Sequence, residues 1–178
     1  MTESKRVALV TGAGSGVGRH SSLALLEAGY HLVLVGRRED ALEETKTLAG
    51  VNASKCLIVS CDVSDPKSIK SLFTVTKEQF GRLDLLFNNA GIGAPAIPLE
   101  DLTVEQWKSV VDINLTGGFS LHPGSFQNYE RTESSGRTDY QQRLHFRACA
   151  KALFITLHCD QTCHNRTYAF FITGRQSI

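Results

Sequence analysis

The sequence predicts an α/β fold, a doubly wound parallel sheet with crossover helices on both faces, and three observations carry that prediction. Short apolar runs alternate four times with segments of helical period, the pattern of strands joined by helices rather than by hairpins. The runs are apolar at nearly every position instead of every second one, as expected of strands covered on both sides. The first run also ends directly in a glycine-rich turn, "TGAGSGVG", that opens a helix-like segment.

In chain order, "RVALV" at 6–10 is the first strand, and "RHSSLALLEAG" after the turn has the spacing of an amphipathic helix. "HLVLV" at 31–35 is the second strand, followed by a charged helical stretch to about Leu48. "CLIVS" at 56–60 precedes a helix over 65–81, and "LDLLFNN" at 83–89 precedes one over 104–115. A length of 178 residues fits one domain with a buried core. The net charge of +1, with no basic cluster, argues against nucleic acid or an anionic membrane as partner. "MTESKRVALV" has no signal-peptide run, and no segment reaches the roughly 18 apolar residues of a membrane span, so a cytoplasmic location is expected. Five irregularly spaced cysteines read as reduced thiols, Cys56 and Cys61 as packing residues beside the third strand.

Gly12, Gly16 and Gly18 stand where such a sheet binds phosphate. Gly12 permits the tight turn out of the strand, Gly16 lets a pyrophosphate approach the backbone, and Gly18 lets the helix pack on the strand. Ser15 adds a hydroxyl. After the second strand the chain reads "VLVGRRED", with Gly36 in place of the acid that takes the ribose hydroxyls of NAD. Arg37 and Arg38 follow, and guanidinium suits a 2′-phosphate, so NADP is expected in preference to NAD. Read alone, the two arginines also fit a solvated helix start.

"TGAGSGVG", "CDVSD" at 61–65, "NNAG" at 88–91 and "WKSVVDINL" at 107–115 occur together in an order that resembles the short-chain dehydrogenase/reductase family over about residues 5–119. The resemblance implies a Rossmann-like sheet and hydride transfer between NADP(H) and a small carbonyl or alcohol substrate. It places Val17 with the glycines and Ser15 in the phosphate turn, and Asp62 on the adenine amino group with the Val63 backbone beside it. Asn89, Ala90 and Gly91 would line the adenosine ribose, and Asn114 matches the Asn of the catalytic tetrad, which holds a water in the proton relay. Taken singly, Asp62 also fits a loop cap, "NNAG" a turn, and Asn114 a polar kink satisfied by backbone.

Past Phe119 the resemblance fails. The family needs a Ser and a Tyr-x-x-x-Lys pair, whose lysine lowers the phenol pKa. Here Tyr129, Tyr140 and Tyr168 are followed four residues on by Glu133, Leu144 and Ile172, and Lys151 is preceded at that distance by Arg147. Asn114 is thus the one tetrad member expected. Twelve valines precede residue 120 and none follow, while four of six histidines and three of five cysteines lie beyond it, a composition unsuited to continuing a parallel sheet. Back-translated with freely chosen wobble bases and read one nucleotide on, residues 120–178 can be read as an open frame that resembles the missing family segment along its length and permits, without forcing, a Tyr-Thr-Ala-Thr-Lys. The expected organisation is therefore an incomplete nucleotide-binding domain over 1–119, truncated after about four strands, and a poorly ordered out-of-frame tail over 120–178. Without a fifth strand, the fourth is expected at an exposed edge, and the family's homo-oligomer interface, shared by the Asn114 helix and a later one, is expected to be lost. "HCDQTCH" at 158–164 holds zinc-ligand residue types, His158, Cys159, Cys163 and His164, but the spacing is only loosely zinc-like and no metal is expected. The alternatives to a catalytically incompetent dehydrogenase/reductase are a nucleotide-binding module without chemistry and, less favoured, a protein whose tail folds around a metal.

Overall fold

The computed structural model describes residues 6–121. The tail over 122–178, with "HCDQTCH" and every expectation placed on it, lies outside the described residues.

Four parallel strands form one sheet, β1 (Val7–Thr11), β2 (His31–Gly36), β3 (Cys56–Ser60) and β4 (Leu85–Phe87), in the order β3-β2-β1-β4. β1 pairs with β2 from Val7↔His31 to Thr11↔Val35 and with β4 from Ala8↔Leu85 to Val10↔Phe87. Alternate side chains of β1 enter two cores. Ala8 and Val10 join Leu26, Leu32, Leu34 and Leu42 under helices α1 (Gly16–Glu27) and α2 (Glu39–Leu48). Val7 and Leu9 join Val33, Val35, Cys61, Ile69 and Leu72 against α3 (Pro66–Phe80) on the opposite face. Burying each such aliphatic side chain contributes about 1.5–3 kcal/mol, and two covered faces explain why these strands are apolar throughout.

Helix α3 sits within the predicted span because its ends are marked in the sequence. Asp65 accepts from the N–H groups of Lys67 and Ser68, Pro66 occupies the first turn, and Gly81 closes the helix. Helix α4 (Val104–Val111) starts in a capping box, with Thr103 accepting from Gln106 N–H and the Gln106 side chain accepting from Thr103 N–H.

Two predicted elements are shorter. The expected helix over 104–115 ends at Val111 and passes into a π-helical turn, Asp112–Gly117, before one last helical turn, α5 (Gly118–Ser120). Gly117 packs so closely there that a side chain would stand 2.7 Å from the Val63 carbonyl oxygen. Of the strand expected over 83–89, only Leu85–Phe87 pairs as a strand. Asp84 still exchanges bonds with Val7, whose N–H reaches the Asp84 carboxylate and whose carbonyl accepts from Asp84 N–H. Past Phe87 the side chains of Asn88 and Asn89 bond instead to backbone carbonyls, Asn88 to Gly118 O in α5 and Asn89 to Thr11 O at the end of β1. β4 lies at one end of the sheet among the described residues, with Leu85, Leu86 and Phe87 half-buried and Leu83 buried in the core.

Candidate nucleotide site

The carboxyl ends of the strands bring the sequence-predicted residues to one edge of the sheet. The glycine turn leaves β1 with Gly12 at φ +67° and enters α1 through Gly16 at φ +50°, conformations that L-residues other than glycine adopt at a cost. A side chain on Gly12 would press on Asn89 Nδ2 at 2.9 Å, whereas one on Gly16 would meet nothing within 4 Å. Gly16 therefore opens onto free space, and Gly18 does the reverse: its missing Cβ would lie 2.1 Å from the Gly12 carbonyl oxygen. Ser15 and Val17 are exposed. Ser15 caps α1 with extended backbone but makes no side-chain capping bond, so its hydroxyl is not spent on the helix. No acidic residue stands in the first turn of α1, and the positive end of its dipole is left uncompensated.

β2 delivers Gly36, Arg37 and Arg38. Both arginines are exposed, and Arg38 is the N-cap of α2. Beyond β3, Cys61 N–H bonds to Gly36 O at 3.0 Å and carries the chain beside β2 to Asp62 and Val63. Asp62 Oδ1 accepts from Ser64 N–H at 2.9 Å and from Ser64 Oγ at 2.7 Å. Those bonds, with the Arg37 charge in support, hold the Asp62 carboxyl below the usual carboxylate range against the opposing effect of burial. Asp62 is thus a loop cap whatever else it does. Burial pushes the Cys56 and Cys61 thiols up, as befits packing residues.

After β4, Asn89 Nδ2 donates to Thr11 O at 3.1 Å, and Asn89 N–H and Ala90 N–H both bond to Thr11 Oγ1 at 3.0 Å. Asn114, in the π turn, accepts from Ile92 N–H at 2.9 Å through Oδ1 and donates to Ile92 O at 2.8 Å through Nδ2. Both polar ends of its side chain are spent on one residue of the loop after β4, just beyond Gly91. A cleft of about 130 Å³ lies among these pieces, lined by Gly12, Gly36, Arg37, Asp62, Ala90 and Ile92. A larger cavity of about 530 Å³ opens at the other end of the sheet beside Val7, His31, Cys56 and Phe80. The chemistry-bearing motifs gather at the smaller one, where strand carboxyl ends and a helix amino end meet.

The sequence reading assigned no role to Thr11, although it opens the motif "TGAGSGVG", nor to Arg19 or Thr45. The buried Thr11 hydroxyl ties the end of β1 to the "NNAG" loop, and the polar residue directly before the glycines was the available signal. Arg19 reaches from α1 to Gly14 O, Thr45 and Glu44, contacts that follow only from the packing of α1 on α2.

The short chain dehydrogenase family model matches residues 6–137, some way past Phe119. The chain belongs to the short-chain dehydrogenases. It is similar to levodione reductase of Leifsonia aquatica, 40% identical over 116 residues, which make up 64% of this chain and 43% of that protein. It is also similar to cis-4-hydroxycyclohexanecarboxylate dehydrogenase of Sinomonas cyclohexanicum, 39% identical over 113 residues, 64% of this chain and 45% of the relative. Among solved structures, 3-ketoacyl-(acyl-carrier-protein) reductase from Brucella melitensis, complexed with NADH, superposes with a TM-score of 0.62 at 30% identity, covering 65% of this chain and 46% of that one. An alcohol dehydrogenase from Thermococcus sibiricus complexed with 5-hydroxy-NADP does so with the same TM-score and identity, covering 66% and 50%. This short-chain dehydrogenase spans about half the length of the curated relatives it matches. Among its described residues no helix is long and apolar enough to cross a membrane, and no three His, Cys, Asp or Glu residues gather as a metal site.

Proposed function

We propose that this chain is the nucleotide-binding portion of an NADP(H)-dependent dehydrogenase/reductase acting in the cytoplasm on a small carbonyl or alcohol substrate. The observation that carries the reading is the open cradle at Gly16, bounded by the turn at Gly12 and the uncompensated amino end of α1. A pyrophosphate fits it: the backbone N–H groups of Gly16 and Val17, with the Ser15 hydroxyl, would hold the phosphates. Arg37 and Arg38 would hold the 2′-phosphate, since Gly36 supplies no competing carboxylate. Asp62 would take the adenine amino group through the carboxylate left by its Ser64 bonds, with the Val63 backbone beside it, and Asn89, Ala90 and Gly91 would line the adenosine ribose. When bound, the nicotinamide supplies or accepts the hydride. NADH and 5-hydroxy-NADP in the two solved relatives support a nicotinamide cofactor, and the arginine pair favours its 2′-phosphorylated form.

Asn114 would keep its place in a proton relay only through its main chain, because its side chain is committed to Ile92. The 178 residues contain no Tyr-x-x-x-Lys, so the proton of a reacting alcohol has no activated phenol to meet. We read residues 1–119 as a nucleotide-binding domain and 120–178 as a tail from another frame, and the chain as one that binds without turnover. The helical segment carrying Asn114 exposes Val104, Trp107, Leu115 and Phe119, the surface on which the family's self-association would draw. Titration of the purified chain should show NADPH binding at least about tenfold tighter than NADH, with Arg37→Ala narrowing the gap. Equal affinities would overturn the NADP reading, and turnover abolished by Asn114→Ala would overturn the inactivity.

A further inference from the structure

The glycine turn is held on its α2 side by two side chains, Arg19 and Thr45. We propose that Arg19 is a positioning residue for nucleotide binding: with Thr45 it pins the carbonyls of Ala13 and Gly14 toward α2, so that the turn presents N–H groups alone to the phosphates. The inference rests on the nucleotide-binding reading above. Arg19 Nη2 donates to Gly14 O at 2.6 Å, and its Nε donates to Thr45 Oγ1 at 3.1 Å. The Thr45 hydroxyl, fully buried, shares its one proton between Ala13 O at 2.9 Å and Ala41 O of its own helix at 3.0 Å. Gly14 itself lies so close to α2 that a side chain there would stand 2.9 Å from Ala41 Cβ.

The consequence comes from peptide geometry. In a planar trans peptide the C=O of one residue points opposite to the N–H of the next. Fixing Ala13 O toward α2 aims Gly14 N–H away from it, and fixing Gly14 O aims Ser15 N–H away likewise. A carbonyl turned outward at either place would set a partial negative charge against a phosphate, whereas successive outward N–H groups form an anion-binding concavity. Glu44 steadies the guanidinium through two contacts, Nη1 to Oε1 at 3.0 Å and Nη2 to Oε2 at 2.7 Å. Hydrogen bonding from Arg19, then its charge, holds the Glu44 carboxyl below the usual carboxylate range. That ion pair is solvent-facing on the Glu44 side, so Glu44 is the lesser partner and Gly14 O the functional one.

The test compares two ligands on the full chain: ADP-ribose 2′-phosphate, which carries the pyrophosphate, and adenosine 2′-monophosphate, which reaches only the adenine and Arg37 side. Arg19→Met should weaken the first about tenfold, the size of a lost charge-assisted hydrogen bond, and leave the second within about twofold. Glu44→Gln, which keeps an acceptor for the guanidinium, should change either ligand less than about threefold. Arg19→Lys, able to reach Gly14 O with one ammonium group, should recover part of the loss. Equal weakening of both ligands by Arg19→Met would make Arg19 a general stability residue and overturn the proposal, as would no weakening of the first. If the unmodified chain binds neither ligand, the nucleotide reading fails and this inference falls with it.

Discussion

The turn after β1 and the loop after β4 leave adjacent strands at the same end of the sheet, yet they are secured differently. The turn combines exclusion, since no atom larger than hydrogen fits at Gly18 and Gly14 lies against Ala41, with bonds from Arg19 and Thr45 to two of its carbonyls. The loop is fixed by side chains that bond to backbone, Asn89 to Thr11 at its start and Asn114 to Ile92 further on, and beyond Ile92 most of its residues up to Asp101 are exposed. Packing of the first kind tolerates almost no change, because strain rises steeply with each added atom. Bonds of the second kind can be lost one at a time for about 1 kcal/mol each. The glycine-turn side of this end of the sheet is therefore rigid by construction, and the side formed by the loop after β4 is held by a few replaceable contacts.

The sharpest test of that contrast lies within the turn. Gly18→Ala should destabilise the fold by about 3 kcal/mol, because the new methyl collides with the Gly12 carbonyl and the helix must shift. Gly16→Ala meets nothing and should cost only the positive-φ penalty of about 1–2 kcal/mol. Urea unfolding of the two variants measures the difference, and equal midpoints would break the steric account.

A smaller loss is expected in the loop. Asn114→Ala removes both bonds to Ile92 and should cost about 1–3 kcal/mol, with faster hydrogen exchange at the Ile92 amide and unchanged exchange at Ala13, whose N–H bonds to Val35 O. Faster exchange at both amides would show that the two regions are not held independently.

The smallest effect is electrostatic. Because Asp62 titrates below its ordinary value, its contribution to stability is complete above the unfolded carboxylate value, about 3.9, and is lost as pH falls through the lower folded value. Asp62→Asn should flatten that part of the acid limb when urea midpoints are followed from about pH 5 to about pH 2. A limb as steep in the variant as in the unmodified chain would assign the loss to other carboxylates.

What the sequence disclosed follows the range over which each signal acts. Runs such as "HLVLV" and local boundary signs such as Asp65 and Pro66 at the start of α3 and Gly81 at its end declare their elements because the forces involved are local or fall on every residue of a strand. The glycine spacing disclosed the turn for the same reason. The π turn was hidden because it depends on Gly117 fitting against Val63 and on Asn114 reaching Ile92. Arg19 was hidden too, since nothing in "GVGRH" tells that its partners stand on the next helix. Asn114 was expected as a member of a chemical set, and its structural bond to Ile92 emerged only from the fold.

The strand order β3-β2-β1-β4 carries a consequence for assembly in time. β1 meets β2 at Val7↔His31, but it meets β4 at Ala8↔Leu85, across a stretch of chain about three times as long. Closing the longer stretch costs about 1 kcal/mol more chain entropy, so the β1–α1–β2 unit with its glycine turn is expected to form ahead of β4. Pulse-labelled exchange during refolding should then protect Val33 before Phe87, and the reverse order would refute the sequence of events. On that timetable the glycine turn exists before its neighbouring wall, and the nucleotide proposed to bind there would have part of its seat ready while Asn89 is still in transit.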